Sequence, residues 1–235
     1  MFLPGPDQVR ACVGGEKGLL NSAAEGMVIV DHSTVDPGTT KSMAGLAEKW
    51  KVGYLDAPVL GRPASVGHWA LPIGGKAECL ERCRPVLETF AGNIIHVGES
   101  GTGNKIKLLN QLMFSAINAM TAEMMAIAEH MGVSPKLLYE TITASRAGTV
   151  SNLFVELGRN IVDQNYDEPT FSIDLLCKDA GLAVRMAREN GAPTILGQCT
   201  QTINELARAQ GFGSKDTSAM WQAYKPIWST NPKGA

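Results

Sequence analysis

From Thr102 to Met131 the apolar residues Ile106, Leu109, Leu112, Met113, Ala116, Ile117, Met120, Met124, Ile127 and Met131 recur at three- and four-residue steps. That period belongs to a helix and is incompatible with a strand. The stretch predicts one helix of about 29 residues, roughly 43 Å long at 1.5 Å per residue, which is the natural spine between two domains. Gly132 ends it, and Ser134-Pro135 opens the next helix with a capping hydroxyl and a proline at the first position. Further helices are expected at 134–145, 151–163, 171–190, 193–210 and 217–224, punctuated by Gly191, Gly211 and Gly213. The second half therefore reads as all-helical, and its methionines as core filler.

The first hundred residues carry a different pattern. A helix signal from Asp7 to Leu20 precedes the short apolar run Met27-Val28-Ile29-Val30, of the kind a buried parallel strand shows. It stops at Asp31-His32-Ser33-Thr34, and Pro37 suits the first turn of a helix reaching Lys51. Val52 to Val59 is the next strand, broken by Pro58, and the Gly-, Pro-, Ala- and Ser-rich segment 60–70 is a loop. Strand 71–75, helix 79–90 and strand 93–97 complete the series. Alternation of this kind predicts a mostly parallel sheet covered on both faces. The whole is α/β followed by all-α, hinged on the long helix. Nothing near residue 1 reads as strand, then Gly-x-Gly-x-x-Gly, then helix. Val13-Gly14-Gly15 follows a helix, and Leu3-Pro4-Gly5-Pro6 resembles a strand end entering a turn. The sheet is expected to start in its middle.

Composition removes several function classes. A net charge of −2 and no basic stripe give no reason to expect nucleic acid. Apolar runs stop short of membrane-spanning length, and the first residues lack the pattern of a signal peptide. Cys12, Cys79, Cys83, Cys177 and Cys199 are scattered; Cys79 and Cys83 lie one turn apart, but no second pair completes a metal pattern. Reduced thiols in a cytoplasmic setting are the expectation, with no metal. His32, His68, His96 and His130 are isolated and receive no role. Trp69 and Trp221 either line a cleft or pack.

The chemistry concentrates in Gly101-Thr102-Gly103-Asn104-Lys105-Ile106-Lys107-Leu108-Leu109-Asn110-Gln111. Two glycines sit at the start of the long helix, and Lys107 and Asn110, three apart, share a face. Lys105 lies off that face by about 160° and is expected in solvent. Lys107 is either a proton-handling group over a cleft or an ordinary solvated lysine.

Leu3-Pro4, Asp31-x-Ser33-Thr34-x-x-Pro37, Asp56-Ala57-Pro58-Val59, Gly74-Gly75, Gly101-x-Gly103-x-x-x-Lys107-x-x-Asn110 and Lys178-Asp179 follow one another in order. With all six in place, the chain from Leu3 to about Tyr224 resembles the β-hydroxyacid dehydrogenases, which include 3-hydroxyisobutyrate dehydrogenase and tartronate semialdehyde reductase. The resemblance implies a partial dinucleotide-binding Rossmann domain at residues 1–100, lacking the Gly-x-Gly-x-x-Gly half. It implies a helical substrate and dimerisation domain at 101–235, a homodimer, and NAD or NADP as cofactor. It implies hydride exchange with a small 3-hydroxyacid, semialdehyde or related carbonyl, Lys107 being the acid/base. Asn110 then holds substrate; the family's second asparagine is Gln111 here, one methylene longer. Leu3, Pro4, Thr34 and Lys178 face the cofactor. Thr34 can equally cap the Pro37 helix, and Lys178 can equally pair with Asp174 or Asp179. Asp216 reads as the cap of the last helix.

The common family block Asp-Ala-Pro-Val-Ser-Gly-Gly departs at Leu60-Gly61-Arg62. The hydroxyl is gone, an apolar branch appears, and Arg62 either grips a carboxylate bidentately or points to solvent. A larger or less polar substrate than hydroxyisobutyrate is expected. Two other readings stand beside the enzyme: a catalytically impaired fragment or paralogue serving as a dimerisation or interaction module, and an imine reductase-like enzyme. The latter group typically lacks the lysine that Lys107 supplies.

Overall fold

A computed structural model describes residues 1–145 and 151–225. The chain packs as two compact units, Met1–Asn110 and Gln111–Ala235.

In the first unit the order is α1 (Pro6–Gly14), β1 (Val28–Asp31), α2 (Pro37–Lys49), β2 (Gly53–Asp56), β3 (Trp69–Gly75), α3 (Ala77–Leu87) and β4 (Ala91–Gly98), followed by the first turns of α4 (Thr102–His130). The four strands form one sheet in the order β1-β2-β3-β4. β1 and β2 are parallel, as are β3 and β4, each pair joined through a helix. The expected parallel sheet is thus mixed at one place: β2 and β3 pair antiparallel over Leu55↔Gly75 and Asp56↔Gly74. The physical reason is the connection. Parallel neighbours need a crossover, usually a helix. Between β2 and β3 lies only a 3₁₀ turn at Pro63–Ser65, and Leu60 bridges back to Ala70, so the chain returns as a wide hairpin.

Two apolar clusters hold this sheet. Val9, Val13, Val35, Met43 and Ala47 bring α1 and α2 together with Ile29 and Tyr54. Leu55, Leu71, Ile73, Leu80 and Leu87 seat α3. Residues 1–3 run beside β1: the Met1 amino group donates to the Val30 carbonyl at 2.8 Å and the His32 N–H donates to the Met1 carbonyl at 2.9 Å.

The second unit contains the remaining turns of α4, then α5 (Pro135–Ala144), α6 (Asn152–Asp163), α7 (Ile173–Glu189), α8 (Ile195–Ala207) and a 3₁₀ helix at Thr217–Tyr224. α4 spans the 29 residues that the apolar period required. Ser134 caps α5 by accepting from the Leu137 N–H, and Asp216 caps the last helix by accepting from the Ser218 N–H. Met125, Leu157, Ile173, Leu176 and Met220 form the fully buried centre. Trp221 belongs to that core: it is buried and its Nε1–H donates to the Tyr166 hydroxyl at 2.5 Å. Among the described residues no helix is long and apolar enough to cross a membrane.

Candidate active site

The parallel strands β1 and β2 both end in a carboxylate, Asp31 and Asp56, and both carboxylates are fully buried. Ligands of open α/β sheets sit beyond the carboxyl ends of strands, so these two residues mark the face to inspect.

Asp31 organises the loop after β1. Its Oδ2 accepts from the Tyr54 hydroxyl at 2.7 Å and its Oδ1 from the Ser33 N–H at 2.9 Å. Burial and the neighbouring Asp31 charge push the Tyr54 phenol upward. Ser33 Oγ in turn accepts from the Leu3 N–H at 2.9 Å. Leu3-Pro4 and the Thr34 loop, expected on one cofactor, are therefore bonded side by side. The Leu3 N–H is spent on Ser33, which leaves this two-residue segment its backbone carbonyls and apolar side chains. Thr34 is half-buried. It does not cap α2. That position belongs to Asp36, whose Oδ1 accepts from the Thr39 N–H at 2.7 Å. His32 lies beside this loop with Nδ1–H donating to the Ala57 carbonyl at 2.7 Å, its ring between Phe2 and Phe90. Burial holds its imidazole below the ordinary range.

Asp56 organises the entry to α4. Its Oδ1 accepts from the Gly101 N–H at 2.8 Å and its Oδ2 from the Asn104 N–H at 2.9 Å. Burial raises this carboxyl to about 6, opposed by the two N–H donors. Asn104, fully buried, reaches the other way: Oδ1 accepts from the Val35 N–H at 3.1 Å and Nδ2 donates to Thr40 Oγ1 at 3.1 Å. The two motif glycines are explained by the same approach. Gly101 has φ +94, a conformation costly for any residue with a Cβ. A Cβ on Gly103 would lie 2.4 Å from the Pro72 carbonyl oxygen and 2.7 Å from that of Asp56.

Lys107 stands one turn beyond Asn104 and is half-buried, whereas Lys105 is exposed. Asn110 is exposed and Gln111 is buried. In the second unit the Gln111 amide donates to Asp179 Oδ2 at 2.7 Å, and Lys178 pairs with Asp179 Oδ1 at 2.7 Å. The longer amide of Gln111 and the Lys178 ammonium thus meet on one buried carboxylate.

Leu60, Gly61 and Arg62 follow β2. The Leu60 N–H and carbonyl exchange bonds with Ala70 at 2.9 and 3.1 Å. The Arg62 carbonyl accepts from Trp69 Nε1–H at 2.8 Å and from the Ser65 hydroxyl at 2.8 Å. Trp69, which the sequence left between cleft and core, fixes the backbone of this segment. A Cβ on Gly61 would strike its ring at 2.4 Å.

Sequence reasoning quoted Asp31, Ser33, Asp56 and Asn104 inside motifs but gave them no role. A signal was there: twice an apolar run ends in an aspartate (Val30-Asp31, Leu55-Asp56), and a buried strand has no use for a carboxylate without donors to meet it.

Two family models cover the chain. The NAD-binding domain of 6-phosphogluconate dehydrogenase matches residues 1–98, and the NAD-binding domain of NADP-dependent 3-hydroxyisobutyrate dehydrogenase matches 101–224. 2-(Hydroxymethyl)glutarate dehydrogenase from Eubacterium barkeri is 30% identical over 234 residues, 99% of this chain and 77% of that protein. The crystal structure of 3-hydroxyisobutyrate dehydrogenase from Salmonella typhimurium superposes with a TM-score of 0.87 at 25% identity, over 94% of this chain and 77% of the other. The Mycobacterium tuberculosis 3-hydroxyisobutyrate dehydrogenase, solved with L-serine, gives 0.81 at 29% identity, over 95% and 78%. The residues bonded together at the ends of β1 and β2 carry the blocks by which that family is recognised, and the chain belongs to it: the β-hydroxyacid dehydrogenases, NAD(P)-dependent oxidoreductases.

Proposed function

We propose that this chain interconverts a small 3-hydroxyacid and its semialdehyde or a related carbonyl, with Lys107 as proton acceptor and donor. The observation that carries the reading is a half-buried lysine one turn into a helix whose start is bonded to the carboxyl end of β2. Residues 1–100 serve as the cofactor-binding part and 101–235 as the substrate and dimerisation part. NAD or NADP supplies the hydride acceptor in oxidation and the hydride donor in reduction. Leu3, Pro4 and Thr34 suit its nicotinamide–ribose end, because Leu3 and the Thr34 loop are joined through Ser33 at the carboxyl end of β1. Lys178, held by Asp179, is assigned to the same cofactor. In the oxidising direction the carbinol carbon loses hydride, its hydroxyl proton passes to the Lys107 amine, and a carbonyl forms. In reduction the Lys107 ammonium steadies the growing alkoxide and protonates it.

Asn110 and Gln111 are assigned to the substrate, with Leu60, Gly61 and Arg62 shaping its far end. Leu60 and Arg62 in place of a small polar segment favour a longer acid with a second anionic group. The E. barkeri relative, named for a hydroxymethylated dicarboxylate, supports that choice. We place the protein in the cytoplasm as a homodimer; five free cysteines and the apolar outer face of α4 support this.

The test is oxidation of 2-(hydroxymethyl)glutarate, 3-hydroxyisobutyrate and L-serine with NAD⁺ and NADP⁺. Lys107→Ala should lower kcat about 10²- to 10⁴-fold, the usual worth of a positioned acid/base. Arg62→Gln should raise KM for the dicarboxylate and leave L-serine nearly unchanged. A Lys107→Ala chain as active as the wild type removes the proton role, and an inactive wild type leaves the interaction-module reading.

A further inference from the structure

Lys107 rides on α4, Thr34 follows β1, and Leu60–Arg62 follow β2. What fixes these three segments to one another is a pair of side chains outside the reacting set. Asp56, the last residue of β2, takes the Gly101 and Asn104 N–H groups on its two oxygens. Asn104 takes the Val35 N–H, next to Thr34, and gives a hydrogen bond to Thr40. Both side chains are fully buried, so no water stands ready to replace a lost partner.

Helix capping alone does not account for this arrangement. α2, α5, α6 and α7 are capped from their own first residues, by Asp36, Ser134, Ser151 and Ser172. The start of α4 instead donates to a carboxylate 45 residues earlier in the chain, on the strand that leads to the 60–62 segment. A buried carboxylate is also an expensive choice where a neutral cap would serve, since desolvation offsets much of what its hydrogen bonds return. Two glycines make room for it: a Cβ on Gly74 would lie 2.5 Å from Asp56 Oδ1, and one on Gly103 would lie 2.9 Å from Oδ2.

We propose that Asp56 and Asn104 are positioning residues: together they clamp the first turn of α4 to the carboxyl ends of β1 and β2 and so set Lys107 against the Thr34 and 60–62 segments. Both are assigned to act through Lys107 and not on the reacting atoms, and the inference rests on the dehydrogenase reading above.

The experiment uses the full chain with Asp56→Asn and Asn104→Ala. Thermal melting reports folding, and amide exchange at Gly101 and at position 104 reports the clamp. Steady-state oxidation of whichever of 2-(hydroxymethyl)glutarate, 3-hydroxyisobutyrate and L-serine the wild type turns over fastest, with and without deuterium at the carbinol carbon, reports the chemical step. The expected result is a folded protein with faster exchange at Gly101. Its kcat should fall about 10- to 100-fold, as for a reacting group displaced by an ångström. KM should move less than about threefold, and the isotope effect on kcat should grow as the hydride step becomes limiting. Unchanged kcat overturns the proposal. So does a loss that tracks the unfolded fraction with the isotope effect unaltered, because unfolding removes enzyme without slowing the step. An inactive wild type overturns the dehydrogenase reading and this inference with it, which separates that failure from a failure of the clamp alone.

Discussion

Asp56 is a carboxylate with two N–H donors whose acidity is nevertheless weakened, because burial outweighs the donors. The sign of its effect on stability follows. Its folded-state value, about 6, lies above the ordinary 3.8, so the folded protein holds the proton more tightly than the unfolded chain does. The stabilisation from protonating Asp56 is complete below about 4 and is lost as pH rises through about 6. Its size is on the order of 3 kcal/mol. Asp56→Asn removes this titration, so the stability of wild type minus that of the variant should rise as pH is lowered from 7 to 4. Urea melts at three pH values check it, and parallel curves for the two proteins would show that Asp56 does not titrate in that window. The catalytic expectation runs the other way: the ionised form holds the two N–H groups best, so the pH that favours the clamp is the pH at which Asp56 costs stability.

The entry of α4 shows which parts of the molecule can be read from sequence. The helix itself was legible over all 29 residues, because its apolar period repeats for eight turns and its stop is a glycine. The Ser134-Pro135 and Asp216 caps were legible because a cap is a local event within three residues. The parallel pairs β1–β2 and β3–β4 followed from the helices between them, and the antiparallel β2–β3 pair was missed because nothing in a run of apolar residues states its direction. Asp36 was missed as the α2 cap in favour of Thr34, two residues away, where both candidates offer an oxygen. Lys107 and Asn110 were singled out as candidates from a short motif, whereas the Asp56–Gly101 and Gln111–Asp179 contacts join residues 45 and 68 positions apart and leave no periodic trace. Gly103 tests the entry at the scale of the element. A methyl there meets backbone carbonyl oxygens of both β2 and β3, which cannot rotate away. Gly103→Ala should cost about 1–3 kcal/mol or more, as overpacking does, although alanine is the better helix former. A urea midpoint equal to that of the wild type would mean that the helix start has room to lift from the sheet.

At the scale of the molecule, α4 presents two unlike faces along the second unit. Gln111, Ser115, Asn118, Ala122 and Met125 turn inward and are buried; Asn118 donates to the Thr217 carbonyl, and Asn204 on α8 donates to Ser115. Met113, Met120 and Ile127, seven apart, turn outward, with the two methionines 64% and 63% exposed. Ile195 and Leu196 at the start of α8 are also exposed, Ile195 by 82%. Isolated surface leucines need no explanation, but a repeated apolar stripe on a helix does. The proposed occupant is the same stripe of a second chain, since an isologous contact lets each methionine row pack against its copy. A stable interface buries about 1,200–2,000 Å² in total, more than one helix face provides, so the α8 residues should lie inside it as well. Met113→Lys with Met120→Lys places two ammonium groups per chain where the rows would meet, and desolvating them costs more than the contact returns. Light scattering should give twice the 25.0 kDa chain mass for the wild type and the single mass for the double variant. Lysines that leave the dimer intact would move the interface off α4, to a surface centred on Ile195 and Leu196.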